Sequence, residues 1–292
     1  MNRKEFVNKK RETFSYLTNL SDGEGLVFLF FHATGFNGAT YKNLLNKLDK
    51  KFDGKINIIA LDQRGHGFTE AMANPNDLRS WDCYVEDASE FVNSLEGKVV
   101  CAGHSMGAVI AAKLAALKPK RIPKLIMIDP VLWSPLESFK FRFMSKINFH
   151  RKISLADSAA KRRKNFLSLE DAMDSYRGRG AFATWEDMWI KDYLEGGTIA
   201  TSAGIELTCS PLWESMTFKS SSMDTWQYLK KVKTPSYIPC GEKASTFSFK
   251  ARRALLKLGV NWEIEEYKQA THFLPMEYSH KLIDRIHDFM SK

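Results

Sequence analysis

The chain has 292 residues, of which 44% are hydrophobic and 26% charged. That balance is ordinary for a folded globular protein and excludes disordered and fibrous classes, and the length suits a large α/β unit carrying an inserted subdomain. The net charge of +9 comes without an RNP, helix-turn-helix or zinc-finger pattern, so no nucleic-acid partner is expected.

Residues 1–10 carry positive charge with no apolar stretch behind them, which is not the pattern of a secretory signal. No run approaches the roughly 18 uncharged residues that would span a bilayer. A cytoplasmic protein without an integral membrane segment is therefore expected. Residues 26–31 (LVFLFF) read as a buried strand, and 57–61 (NIIAL) as the next clear one. Residues 98–102 form a third apolar run leading into Gly103-His104-Ser105-Met106-Gly107. An alanine- and leucine-rich helix pattern follows over 106–117, closed by Pro119. Another strand pattern, 124–128, runs into Asp129-Pro130.

Past Asp129 the strand rhythm stops for about a hundred residues. The interval carries Trp133, Trp185, Trp189, Trp213 and Trp226 and has a helical pattern. Residues 134–226 are read as a helical cap, with 1–133 and 227–292 forming the core. The densest basic stretch also lies here: Lys140, Arg142, Lys146, Arg151, Lys152, Lys161, Arg162, Arg163 and Lys164. It reads as a pair of solvated helix faces, with a surface favouring anionic substrates or membranes as the alternative. Strand patterns return at 236–240 and 262–267, and an amphipathic helix at 278–290 ends the chain. Strands alternating with helices predict a mostly parallel central sheet flanked by helices.

Cys83, Cys101, Cys209 and Cys240 are far apart and make no C-x-x-C pair, so they are read as small buried hydrophobes. No metal or organic cofactor is expected.

Gly103-x-Ser105-x-Gly107 between a strand and a helix carries the chemistry. A nucleophile needs a tight turn that pushes its Oγ into the open, and flanking glycines let neighbouring backbone approach. Serine is a poor nucleophile until a base takes its proton. His272, which follows the last strand pattern, is the candidate base, whereas His280 and His287 fall within the final helix pattern.

These stretches, with residues 31–38 (FHATGFNG), 61–67 (LDQRGHG) and Thr271-His272-Phe273, resemble the α/β-hydrolase superfamily, specifically its capped serine esterase and lipase-like members. The resemblance spans nearly the whole core in the family's order. It implies that the backbone N–H groups of Thr34 and Met106 form an oxyanion hole. For the acid it implies either of two positions. One follows the strand ending at Gly241, where Glu242 stands but alanine replaces the usual aspartate; the other ends the strand after the serine helix, where Asp129 stands. Asp129 is favoured and Glu242 is the alternative. Trp133 and His32 are expected to line the substrate pocket, and His66 to hold a turn. The expected activity is hydrolysis of a small-molecule carboxylic ester with a small to medium apolar group, through an acyl-serine. Carbon–carbon bond hydrolysis, acyl transfer, and a ligand-binding receptor on the same fold are the alternatives, and the oligomeric state stays open.

Overall fold

The computed structural model describes residues 1–19, 26–146, 154–221, 223–259 and 261–292, with no side chains described for 141–146 and Ser154. Six strands precede the long interval: β1 (Asn2–Val7), β2 (Thr13–Thr18), β3 (Leu26–Phe31), β4 (Ile56–Leu61), β5 (Val99–His104) and β6 (Leu125–Ile128). Helices α1 (Lys42–Lys51), α2 (Asp82–Ser94) and α3 (Met106–Leu117) lie between them. The interval holds α4 (Pro135–Lys146), α5 (Ser154–Ala160), β7 (Asn165–Phe166), α6 (Leu169–Tyr176), α7 (Asp187–Gly197), β8 (Thr198–Thr201), β9 (Gly204–Leu207), α8 (Pro211–Lys219) and α9 (Thr225–Leu229). The chain closes with β10 (Ser236–Gly241), α10 (Phe249–Leu256), β11 (Trp262–Tyr267), α11 (Leu274–Glu277) and α12 (Ser279–Ser291).

Among the described residues the main sheet runs β1-β2-β4-β3-β5-β6-β10-β11. It is parallel from β4 to β11, while β1 and β2 pair antiparallel at one edge. Central parallel strands are covered on both faces, which is why β3 is apolar at every position. Its side chains alternate: Val27, Leu29 and Phe31 join one core with Tyr84, Val85 and Ala88 of α2 and most of α3. Phe28 and Phe30 join the other, against Leu44, Leu45 and Leu48 of α1 and Leu282 and Ile286 of α12. Helix α3 is buried almost all round, which its run of alanines allows by bringing it close to the sheet. Cys101, Cys209 and Cys240 are buried thiols within these cores and Cys83 is half-buried. No helix among the described residues is long and apolar enough to cross a membrane.

The interval is not purely helical. β7, β9 and β8 form a small antiparallel sheet. Strands of two to four residues are too short to show a period of two, so the helical pattern around them dominates the sequence signal. The turn between β8 and β9 uses Gly204 at φ +134, where a Cβ would stand 2.2 Å from the Phe166 carbonyl oxygen. The basic stretch departs from two solvated faces as well. Arg162 is largely enclosed and paired with Glu214, while Arg163 pairs with Asp171 and Lys164 with Glu206. Arg151 and Lys152 lie outside the described residues. At the neck of the interval the Trp226 indole N–H donates to the Trp133 carbonyl (2.8 Å), so the outgoing and returning chain are tied together.

Candidate active site

Ser105 sits between the end of β5 and the first residue of α3, at φ 58 and ψ −115. A non-glycine residue there carries strain of about 1–3 kcal/mol, which only a well-determined surrounding can hold. Two glycines make the turn fit. A Cβ on Gly103 would stand 2.3 Å from the Gly107 carbonyl, and one on Gly107 would stand 2.1 Å from the carbonyl oxygen of Phe31 on the neighbouring strand. Backbone bonds then fix the serine: its N–H donates to the Ile128 carbonyl (3.0 Å) and its carbonyl accepts from Val131 (3.4 Å). Ser105 is thereby joined to both sides of Asp129.

Asp129 is fully buried and also has positive φ (39°). The His272 Nδ1–H donates to its Oδ2 at 2.6 Å. Oδ1 accepts from the Gly241 N–H (2.9 Å) and the Ser245 hydroxyl (2.6 Å), and Oδ2 from the Thr246 N–H (3.0 Å). Burial alone would push the pKa of this carboxyl up. The bonds from His272, Ser245 and Gly241 outweigh it and hold the group below its ordinary value. Such a carboxylate fixes the imidazole with its proton on Nδ1, leaving Nε2 as the basic nitrogen. Glu242 is exposed and accepts from the Gln269 N–H (2.8 Å) instead. Of the two acids read from the sequence, Asp129 is the one that meets His272.

A buried polar chain ties the histidine to the loop after β3. The Ala33 N–H donates to the Tyr41 hydroxyl (3.2 Å), and that hydroxyl meets His104 Nδ1 (2.7 Å). His104 Nε2 lies 2.8 Å from the His272 carbonyl. An amide can only donate and a carbonyl only accept, so the Tyr41 hydroxyl donates to Nδ1 and His104 carries its proton on Nε2. Burial pushes the pKa of His104 down to about 3, keeping it neutral. The His104 and His272 rings lie 4.7 Å apart.

The loop itself brings Thr34 over the start of α3, with the Thr34 hydroxyl 3.4 Å from the Met106 sulfur. Met106 opens the helix, so its N–H is among the groups that have no intrahelical partner. His32 does not line a pocket: its ring is fully buried beneath the loop, with Nδ1–H donating to the Ala33 carbonyl (2.8 Å) and Nε2 accepting from the Gln63 N–H (3.0 Å). Enclosure pushes its pKa to about 4. Both ring nitrogens are spent on backbone, so it is a brace. His66 does the same for the next residue, accepting from the Gly35 N–H (3.1 Å). Trp133 is half-buried at the neck of the interval.

Sequence reasoning missed Tyr41, Ser245 and Thr246, which no motif marks. It also missed the aromatic cluster between the interval and the core. Phe36 lies 5.2 Å from Trp185, 5.7 Å from Tyr193 and 6.2 Å from Phe273, the residue after His272.

Comparisons with known proteins bear on the family and the fold. A 2-(acetamidomethylene)succinate hydrolase from Mesorhizobium japonicum is 29% identical over 126 residues, 42% of this chain and 43% of that protein. A pimeloyl-[acyl-carrier protein] methyl ester esterase from Legionella pneumophila is 27% identical over 155 residues, 51% of this chain and 56% of that one. The chain thus spans about half the length of the curated relatives it matches. The crystal structure of an E-2-(acetamidomethylene)succinate hydrolase superposes over 100% of this chain and 99% of its own with a TM-score of 0.80 at 20% identity, a likeness of fold. The family model described as serine aminopeptidase, S33, matches residues 24–175, more than half of the chain, and the protein belongs to that family of α/β-hydrolases.

Proposed function

We propose that the protein hydrolyses a carboxylic ester through an acyl-serine intermediate at Ser105. The observation that carries this reading is the conjunction of a strained serine at a strand-to-helix turn with the 2.6 Å His272–Asp129 bond. His272 Nε2 takes the hydroxyl proton as Ser105 attacks the carbonyl carbon, and Asp129 stabilises the imidazolium that forms. The N–H groups of Thr34 and Met106 receive the developing oxyanion. His272 returns the proton to the leaving alkoxide, then activates water to release the acid. The name of one relative, a methyl ester esterase, supports ester hydrolysis.

Residues 134–226 act in this reading as a cap. Support comes from the contacts this interval makes with the site: the Asn37 amide donates to the Tyr193 carbonyl (2.9 Å), and Trp185 lies 5.9 Å from Phe273. The aromatic cluster suits an apolar chain of small to medium length next to the scissile bond.

The test is turnover of p-nitrophenyl esters from acetate to decanoate by the wild type and Ser105→Ala, alongside labelling by a fluorophosphonate probe. Serine-dependent hydrolysis and labelling are expected. A folded wild type that neither turns over any ester nor takes the probe would refute the reading.

A further inference from the structure

Where the interval meets the loop after β3, Arg162 and Glu214 form an ion pair, Nη2 to Oε2 at 2.9 Å. Arg162 follows α5 and Glu214 lies on α8. Nη1 also faces Glu214 Oε1 (3.4 Å) and donates to the Tyr193 hydroxyl (3.2 Å), so the glutamate grips the guanidinium end-on. The pair presses on the candidate oxyanion loop: a Cβ on Gly35 would stand 2.2 Å from Glu214 Oε1. Gly35 immediately follows Thr34.

The other edge of the guanidinium is unspent. Its Nε–H and second Nη2–H point the same way, at the spacing of the two oxygens of a carboxylate. Nε is buried with no hydrogen-bond partner in the protein, and Nη2 makes no well-aligned bond. The Tyr176 hydroxyl is buried in the same cluster, facing the hydroxyl of Tyr193, whose ring lies 5.9 Å away. Folded proteins leave only a few buried polar atoms unmatched per hundred residues, so a buried guanidinium N–H without a partner marks a place that a polar ligand completes.

We propose that the Nε–Nη2 edge of Arg162 is a carboxylate-binding subsite, and that the substrate is the half-ester of a short dicarboxylic acid. This rests on Ser105 acting as the nucleophile. A charge-assisted fork selects a planar carboxylate over a neutral carbonyl, and the Tyr176 hydroxyl supplies a third donor. Gly35 is one residue from Thr34 and Glu214 bridges Gly35 to Arg162. The six-carbon diacid, adipic acid, is the length the experiment probes. The apolar methylenes between them would lie against the aromatic cluster.

The experiment compares monoethyl adipate with ethyl hexanoate by pH-stat in the wild type, Arg162→Gln, Arg162→Lys and Tyr176→Phe. The wild type is expected to prefer the half-ester. In Arg162→Gln the loss in kcat/KM for the half-ester should exceed the loss for ethyl hexanoate by about 100-fold. Arg162→Lys keeps the charge but not the fork and should lose most of the preference; it stands in if Arg162→Gln fails to fold. Tyr176→Phe should lose a smaller share. Binding of adipate to Ser105→Ala, followed by tryptophan fluorescence, should saturate and should vanish in the double variant Ser105→Ala/Arg162→Gln. Arginine-dependent adipate binding without hydrolysis of either ester would defeat the esterase reading and leave the subsite standing. No preference for the half-ester, a preference that survives both arginine variants, or equal binding of adipamide would overturn the subsite.

Discussion

Replacing Asp129 by asparagine tests the candidate triad most directly, because the change keeps the shape and alters only what each atom can donate. Asp129 receives four hydrogen bonds within 3.0 Å: from Gly241 and Ser245 at Oδ1, and from Thr246 and His272 at Oδ2. An asparagine that keeps its oxygen toward Gly241 and Ser245 aims its NH₂ at the Thr246 N–H and at His272 Nδ1. The Thr246 amide is then an unpaired buried donor, costing about 1–3 kcal/mol of stability. His272 must turn Nδ1 into an acceptor, which moves its proton to Nε2, the nitrogen that has to receive the Ser105 proton. Flipping the amide would keep the Thr246 and His272 bonds, and the Ser245 hydroxyl could turn to accept. NH₂ would then face the Gly241 N–H, which is more deeply buried than the Thr246 amide, so the first orientation is the expected one. A wrong tautomer in the serine-protease prototype lowers kcat by about 10⁴-fold, equivalent to roughly 5 kcal/mol of barrier. The assay is p-nitrophenyl butyrate hydrolysis, with active sites counted by a fluorophosphonate and folding checked by thermal melting. Glu242→Gln serves as the control and should retain wild-type kcat, because Glu242 meets the Gln269 N–H at the surface. A folded Asp129→Asn with near-normal kcat would refute the assignment.

Two further outcomes follow from the same geometry. Gly107→Ala forces a Cβ to within 2.1 Å of the Phe31 carbonyl oxygen, so the elbow must separate from β3. A loss of about 3 kcal/mol or more in denaturant unfolding is expected, and a fully stable variant would show that the turn is looser than described. Stability should also fall on acidification. His32 and His104 have folded pKa values depressed to about 4 and about 3 by burial, against about 6.5 in the unfolded chain. Their contribution is complete above pH 6.5 and is lost as the pH falls toward those values, because the unfolded state takes up the protons. Each contributes up to about 1.4 kcal/mol per pH unit across that window. Asp192, raised to about 6 by burial, runs the opposite way and offsets part of the slope. Unfolding midpoints measured from pH 7 to 4.5 should drop, and a rising midpoint would contradict the buried neutral histidines.

The central parallel strands were legible because burial on both faces writes an apolar run, unbroken in β3 and interrupted only by Asn57 in β4. The edge hairpin was not: β1, NRKEFV, is mostly exposed and polar, and its pairing with β2 leaves no apolar signature. The serine turn could be read because its constraint is local, two glycines whose missing side chains let strand, turn and helix touch. The choice between Asp129 and Glu242 was legible only as a preference for Asp129, since both follow strands of the same sheet and differ in which one reaches His272. His32 misled for a related reason. A histidine beside a candidate oxyanion loop invites a substrate role, and only the positions of the Ala33 carbonyl and Gln63 amide show its nitrogens to be spent. Arg162 was hidden in a run of basic residues, from which nothing in the pattern separates an enclosed guanidinium from solvated ones.

The 2.6 Å bond between His272 and Asp129 joins positions 143 residues apart, and β6 finds its parallel partner β10 only after the whole interval has been made. Closing so long a loop returns no contact energy until the ends meet, which delays non-local pairings during folding. The strained serine turn is held by bonds to Ile128 and Val131, within the first half of the chain, whereas His272 arrives with the last strand and helices. The candidate triad is thus complete only once the final fifty-odd residues have docked against β6.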